Sequence, residues 1–213
     1  MLSPAHHHCK HSITSFHHQR GASLIVSLVM LLVLLMLGIS LANIALMGEK
    51  AARNDRDRQI AMQAAEAALT DAEMDIENSS RSVIFSPDSS EGFTDLCGKG
   101  DSNIYQGLCT YNGDRKTAAW LTADIANTSG TAASVKYGRF TGKTMPSGAG
   151  PFPNKLPRYL IELMMDTAPG QEVKAAYIYR ISAVGFGTNS STQVVVQSFY
   201  RKADSVPAAA SQN

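Results

Sequence analysis

Between Ala22 and Met47 lie 26 consecutive residues without a charge, and no other feature constrains this chain of 213 residues as strongly. About 20 apolar residues cross a hydrocarbon core of roughly 30 Å as a helix, so the run predicts a membrane-spanning segment. Its polar members are Ser23, Ser27, Ser40 and Asn43. A core helix of a soluble domain would be shorter and would carry a polar stripe. The formal charge of the whole chain is only +1, with signs mixed. That balance argues against a basic nucleic-acid binder and against an acidic disordered tail.

Residues 1–21 hold Lys10 and Arg20, no acid, and all six histidines: His6, His7, His8, His11, His17 and His18. The positive-inside rule places this segment in the cytoplasm and everything after Met47 on the far side. A secretory signal would have a shorter apolar stretch with a small-residue cleavage site behind it, and Leu41–Met47 offers none. The alternative is a cut before the apolar run, at Gln19-Arg20-Gly21-Ala22-Ser23-Leu24-Ile25, leaving the hydrophobic helix as the new N-terminus. Removing the leader takes the basic residues from 19 to 17 against 18 acids, a charge of −1. Histidine-rich tracts can bind metal, but no acid or ordered element fixes a coordination geometry here, and a discarded leader explains them more simply. An expression tag is a third explanation for the histidines.

No proline occurs between Pro4 and Pro87. A charged collar follows the apolar run (Glu49, Lys50, Arg53, Asp55, Arg56, Asp57, Arg58), then an alanine-rich stretch to Asn78. Helix formers dominate throughout, predicting one helix from about Ser23 to Glu77. Ala61, Ala65, Ala68, Leu69, Ala72 and Ile76 recur at three- and four-residue steps and form one narrow apolar face. Gln63, Glu66, Thr70, Asp71, Glu73 and Glu77 are assigned to the remainder. Small alanines permit close approach, which suits docking on a β-sheet. A coiled coil would need larger residues over more heptads. Gly38 and Gly48 are local weak points of the helix.

Residues 78–95 read as a loop, Lys116–Ala126 as a short helix holding Trp120, Val135–Phe140 as a strand, and Gly142–Pro157 as a long Pro/Gly loop. The last third alternates. Strands are expected at Arg158–Asp166, Lys174–Val184 and Thr192–Arg201, with turns at Ala168-Pro169-Gly170 and Gly185–Ser190. Tyr159, Ile161, Leu163 and Met165 share one face, as do Tyr177, Tyr179, Ile181 and Ala183. The fold class is therefore α+β, a long N-terminal helix with an antiparallel sheet of three to four strands. The expected divisions are a leader (1–21), a membrane or assembly half-helix (22–47), an amphipathic half-helix (48–77), a globular domain (78–204) and a frayed tail (205–213).

Cys9 belongs to the leader, so Cys97 and Cys109 form an even pair, best read as a structural disulfide in an exported domain. A redox-active pair would want a Cys-x-x-Cys spacing. With the leader gone the chain has no histidine, which removes Ser-His-Asp and Cys-His catalysis and His-ligated zinc. No phosphate-cradling motif is present. Asp95, Asp101, Asn103 and Asp114 do not match the 12-residue calcium loop and read as solvated. The chain is not expected to be an enzyme, and no cofactor or metal is expected.

The junction Gln19–Ile25, the Arg/Asp collar and the helix Ala61–Glu73 resemble the type IV pilin family, specifically its PilX-type minor pilins. The Gly185-Phe186-Gly187 turn and Val-rich last strand are similar too. The close likeness covers residues 19–77. It implies a pilin fold, cleavage by a prepilin peptidase between Gly21 and Ala22, and N-methylation of Ala22. It also implies an inner-membrane anchor with a periplasmic domain, later part of a surface pilus. The implied partners are other minor pilins, the major pilin and the peptidase, with room for a large tip adhesin and no nucleic acid. Most pilins carry Glu as the fifth mature residue; here it is Val26. A buried carboxylate without a partner amine is costly, so Val26 suits the subunit that starts the fibre. Other readings remain open. A type II secretion pseudopilin of the tip class would need a larger inserted domain. A pilus-borne adhesin or DNA-uptake subunit would draw on Lys136, Arg139, Lys143, Lys155 and Arg158. A membrane-anchored enzyme lacks any motif.

Overall fold

A computed structural model describes residues 22–86, 89–111, 118–165 and 177–202. The leader with Gly21, the Ala168–Gly170 turn, Asp114 and the expected tail lie outside those residues. The elements in chain order are α1 (Ala22–Asn78), a 3-10 turn (Ser82–Ile84), β1 (Leu108–Thr110), α2 (Ala119–Thr122), β2 (Val135–Lys136), β3 (Arg158–Met165), β4 (Tyr177–Phe186) and β5 (Gln193–Tyr200). The chain divides into two compact units between Ala51 and Ala52, and α1 contributes to both.

In the first unit every described residue is exposed. The helix is long and apolar enough, by length and composition, to cross a membrane. Ser27 and Ser40 donate their hydroxyls to the carbonyls of Leu24 and Met36, at 2.9 and 3.0 Å, one turn back. Polar side chains in an apolar run are thereby satisfied within the helix.

The second unit is an α+β pilin-like arrangement: the later part of α1 packs on a mostly antiparallel sheet of five strands. β3, β4 and β5 form an antiparallel meander, with Tyr159 opposite Ala183 and Val184 opposite Val195. β1 and β2 share the other edge of β3. β2 is antiparallel to it, whereas β1 runs parallel, pairing Leu108 with Ile161. A three-residue strand is too short to display an alternating pattern, so β1 is invisible to periodicity and adds a parallel pair to the expected meander. The strand expected over Val135–Phe140 stops after Lys136 because the chain turns at Gly138, which has φ +76°. A Cβ there would strike the carbonyl of Lys143, so only glycine fits this left-handed, close-packed corner.

Both faces of β3 and β4 are covered. Ala68, Ala72 and Ile76 of α1 meet Tyr159, Ile161, Tyr179, Ile181 and Ala183 on one face. Phe85, Phe93 and Tyr179 form an aromatic cluster beside them, with centroids 5.5–6.1 Å apart. On the opposite face Leu160, Val184 and Phe186 lie under Ala119, Ile125 and the Cys97–Cys109 pair. The expected strand faces hold except at one end, where Met165 is 64% exposed. β5 is half-covered, alternating exposed and half-buried residues as a strand with one solvated face does.

Candidate assembly helix and the network beneath it

Ala22 is the first residue of α1, and Val26 lies one turn on, 58% exposed among Leu24, Ile25 and Leu28. These side chains present a continuous aliphatic surface with no charge until Glu49. An exposed apolar area of this extent marks a membrane or protein contact surface.

The collar residue Asp57 ties α1 to the hairpin between β4 and β5. Its Oδ1 accepts from the Thr188 amide at 2.5 Å, the Thr188 hydroxyl at 2.6 Å and the Asn189 amide at 3.2 Å. Partial burial pushes the carboxyl up, but the bonds from Thr188, Thr192 and Asn189 outweigh it and hold the group below its ordinary value. The two glycines of the hairpin make this approach possible. A Cβ on Gly187 would sit 2.6 Å from Asp57 Oδ1, and one on Gly185 would drive into the Ala61 carbonyl and the Ala65 amide. The expected turn over Gly185–Ser190 starts two residues later: Gly185 and Phe186 belong to β4, paired with Val194 and Gln193, and the strand end closely approaches the helix there.

Further along α1, Asp71 and Asp75 are fully buried. Asp71, which the pattern assigned to the polar side, is corrected to the packed face: it follows Ala68 by three residues and continues the apolar stripe. Its carboxylate accepts the Gly138 amide at 2.7 Å and the Thr141 hydroxyl. Burial raises its pKa despite those two bonds. Asp75 pairs with Arg81, Nη2 to Oδ2 2.5 Å, both side chains without solvent exposure. The Tyr159 hydroxyl also donates to Asp75, at 2.7 Å. Arg81 Nη1 donates to the carbonyls of Ile104 and Gln106, both at 2.7 Å, and its guanidinium stacks 3.7 Å from the Phe140 ring centroid. Burial, and then the negative charge of Asp75, hold the Tyr159 phenol well above its ordinary range. One arginine thus joins the end of α1, the loop before β1, the loop after β2 and, through Asp75, the middle of the sheet. At the far edge, the Tyr200 hydroxyl donates to Glu77 at 2.8 Å; burial first, then that bond, push its pKa to about 12.

Cys97 and Cys109 are joined by a disulfide across 12 residues. Cys97 has φ +58°, and the isolated bridge from Thr94 to Cys109 sets the start of β1 beside it. The acidic loop residues are engaged with protein groups. Thr110 donates to Asp95 at 2.6 Å, and Asp101 receives Gln106 and Arg139. Asn103 Oδ1 accepts the Tyr105 amide. Among the described residues no group of three His, Cys, Asp or Glu is placed to hold a metal. Three of the five residues of the basic stripe are engaged by protein groups. Arg158 is buried against Ser134, Arg139 is paired with Asp101 and with the Asn103 carbonyl, and Lys155 lies over Phe186.

The chain matches the family described as Type IV pilus assembly protein PilX C-term over residues 105–202, and the one described as PilX N-terminal over residues 20–70. It belongs to the PilX family of type IV pilus minor pilins. Members are structural components of the pilus that interact with other pilus components, and the apolar helix fits an inner-membrane anchor. Comparison with curated proteins gives no match, and neither does comparison with solved structures. Residues 71–104 lie between the two matched segments. They contain Asp71, Asp75 and Arg81, the groups that lock the end of the assembly helix to the sheet.

Proposed function

We propose that this minor pilin primes pilus assembly at or near the fibre tip, in a complex with other minor pilins. The prepilin peptidase cleaves between Gly21 and Ala22 and methylates the new amine on Ala22. Residues 22–47 then span the inner membrane with the globular domain in the periplasm, and later pack into the fibre. The observation that carries the tip placement is Val26. Most pilins have a glutamate there, which meets the N-terminal ammonium of a neighbouring subunit in the hydrophobic core. A first subunit has no predecessor to supply that ammonium. A carboxylate at this position would stay buried and unpaired, at a cost of several kcal/mol. A valine removes the cost. A large tip adhesin is a partner this reading admits.

The test is Val26→Glu in cells, scored by surface pilus number and by immunogold position of the subunit. The expected result is fewer pili and lost or displaced tip labelling. Unchanged piliation with unchanged tip labelling would contradict the tip assignment while leaving family membership intact.

A further inference from the structure

We infer that the cleft between the disulfide loop ahead of β1 and the segment that follows α2 binds a neutral, polyhydroxylated ligand, a short saccharide. The cleft has a volume of about 560 Å³, with Leu96, Cys97 and Lys99 on one wall and Ala123, Asp124 and Asn127 on the other. That volume falls in the range of small-molecule sites. The fold holds both walls in place. The disulfide joins Cys97 to Cys109 of β1, and the Gly98 amide donates to the Leu108 carbonyl at 3.3 Å. The Gly100 amide donates to the Ala132 carbonyl at 3.1 Å and the Asp101 amide to the Gly130 carbonyl at 2.9 Å, stitching one wall to the other. Among the described residues only two that are not glycine have left-handed backbone, Cys97 at φ +58° and Asp124 at φ +46°. Both line this cleft, one on each wall. Backbone held in that region collects at ligand sites, and a site built rigid binds with less ordering cost.

The side chains decide what fits. Lys99 only donates and an ionised Asp124 only accepts, and both are exposed at the cleft. Asn127 Oδ1 already accepts the Ser129 amide at 2.9 Å, leaving its NH2 group to donate. The Thr122 hydroxyl donates to the Ala119 carbonyl at 3.1 Å and keeps its lone pairs for another donor. Donors and acceptors are thus mixed around one opening, which suits hydroxyls, since each gives one proton and accepts others. Ala123, Ala133 and Cys97 supply apolar lining, and Leu96, 74% exposed, adds a wall for the C–H face of a sugar ring. An anion would meet Asp124 as well as the one lysine of the lining. A metal ion is not served, because among the described residues no three His, Cys, Asp or Glu are grouped to hold one. A wholly apolar ligand would strip water from Lys99, Asp124 and Asn127 without replacing its hydrogen bonds. A neutral polyhydroxyl compound is the class that remains. The site is independent of the tip assignment.

The test uses the full chain in phosphatidylcholine nanodiscs, so that no sugar-headed detergent competes, on a printed array of neutral and sialylated glycans. Glycans retained by the chain and not by empty nanodiscs are then titrated by saturation-transfer NMR. The expected result is retention of at least one neutral glycan. Asp124→Asn, which tolerates the same backbone conformation, and Lys99→Met should each weaken that binding by about tenfold. Glu91→Gln, an exposed carboxylate outside the lining, should leave it unchanged. Circular dichroism checks that each variant is folded, and Lys99→Met alone decides the matter if Asp124→Asn is not. No neutral glycan retained by the unaltered chain overturns the inference. Binding that survives in the folded cleft variants, or falls equally in Glu91→Gln, overturns the assignment to this cleft. Retention of sialylated glycans in place of neutral ones overturns the ligand class.

Discussion

The two parts of α1 are built from similarly strong helix formers yet find opposite partners. From Ala22 to Met47 large aliphatic side chains point in every direction, and all of them are exposed. From Ala61 to Asp75 the buried residues of the helix are alanines and two aspartates, with Ile76 closing the stripe, and its apolar members lie on β3 and β4. Leu and Val all round need an apolar surrounding that the folded domain cannot supply. Alanines need only a sheet that can come close, and Gly185 lets it do so. Helix propensity makes both parts helical; side-chain size decides what each part is for.

That contrast can be broken most severely at the buried ion pair. Arg81→Ala strands Asp75 without a cation in a fully buried position, and should destabilise the full chain in detergent by about 3–5 kcal/mol, read by chemical denaturation. A loss below about 1 kcal/mol would mean that the network does not hold the helix on the sheet. Gly185→Ala comes next. Its Cβ would meet the backbone of Ala61 and Ala65, and over-packing of this kind costs about 1–3 kcal/mol. Smallest is Leu32→Ala in the first part of the helix, where the side chain is exposed. Unfolding of the globular domain should shift by less than about 0.5 kcal/mol. A shift as large as that of Gly185→Ala would show that the two parts do not differ as described.

Much of this architecture is legible in the sequence because it rests on long patterns. The 26-residue run, the alanine spacing and the alternation in β3, β4 and β5 each extend over enough residues to specify a period. What was not legible depends on contacts distant in sequence. Asp71 and Asp75 carry charges that argue for solvent, and only Gly138, Thr141, Arg81 and Tyr159 make them tolerable inside. The spacing does contain a signal, since both continue the steps of Ala68 and Ala72, but the residue type masks it. β1 is three residues long and owes its place to β3 and to the disulfide. Gly185 reads as hairpin chemistry from its neighbours, whereas the helix backbone beside it is what excludes a side chain.

The measurement that tests the central claim most directly is the N-terminal residue of the protein in its own cells, determined by mass spectrometry with and without the prepilin peptidase. The account predicts an N-methylated Ala22 when the peptidase is present and an uncut junction at Gly21–Ala22 when it is absent. An unprocessed leader in both strains would contradict the assembly mechanism proposed for this helix.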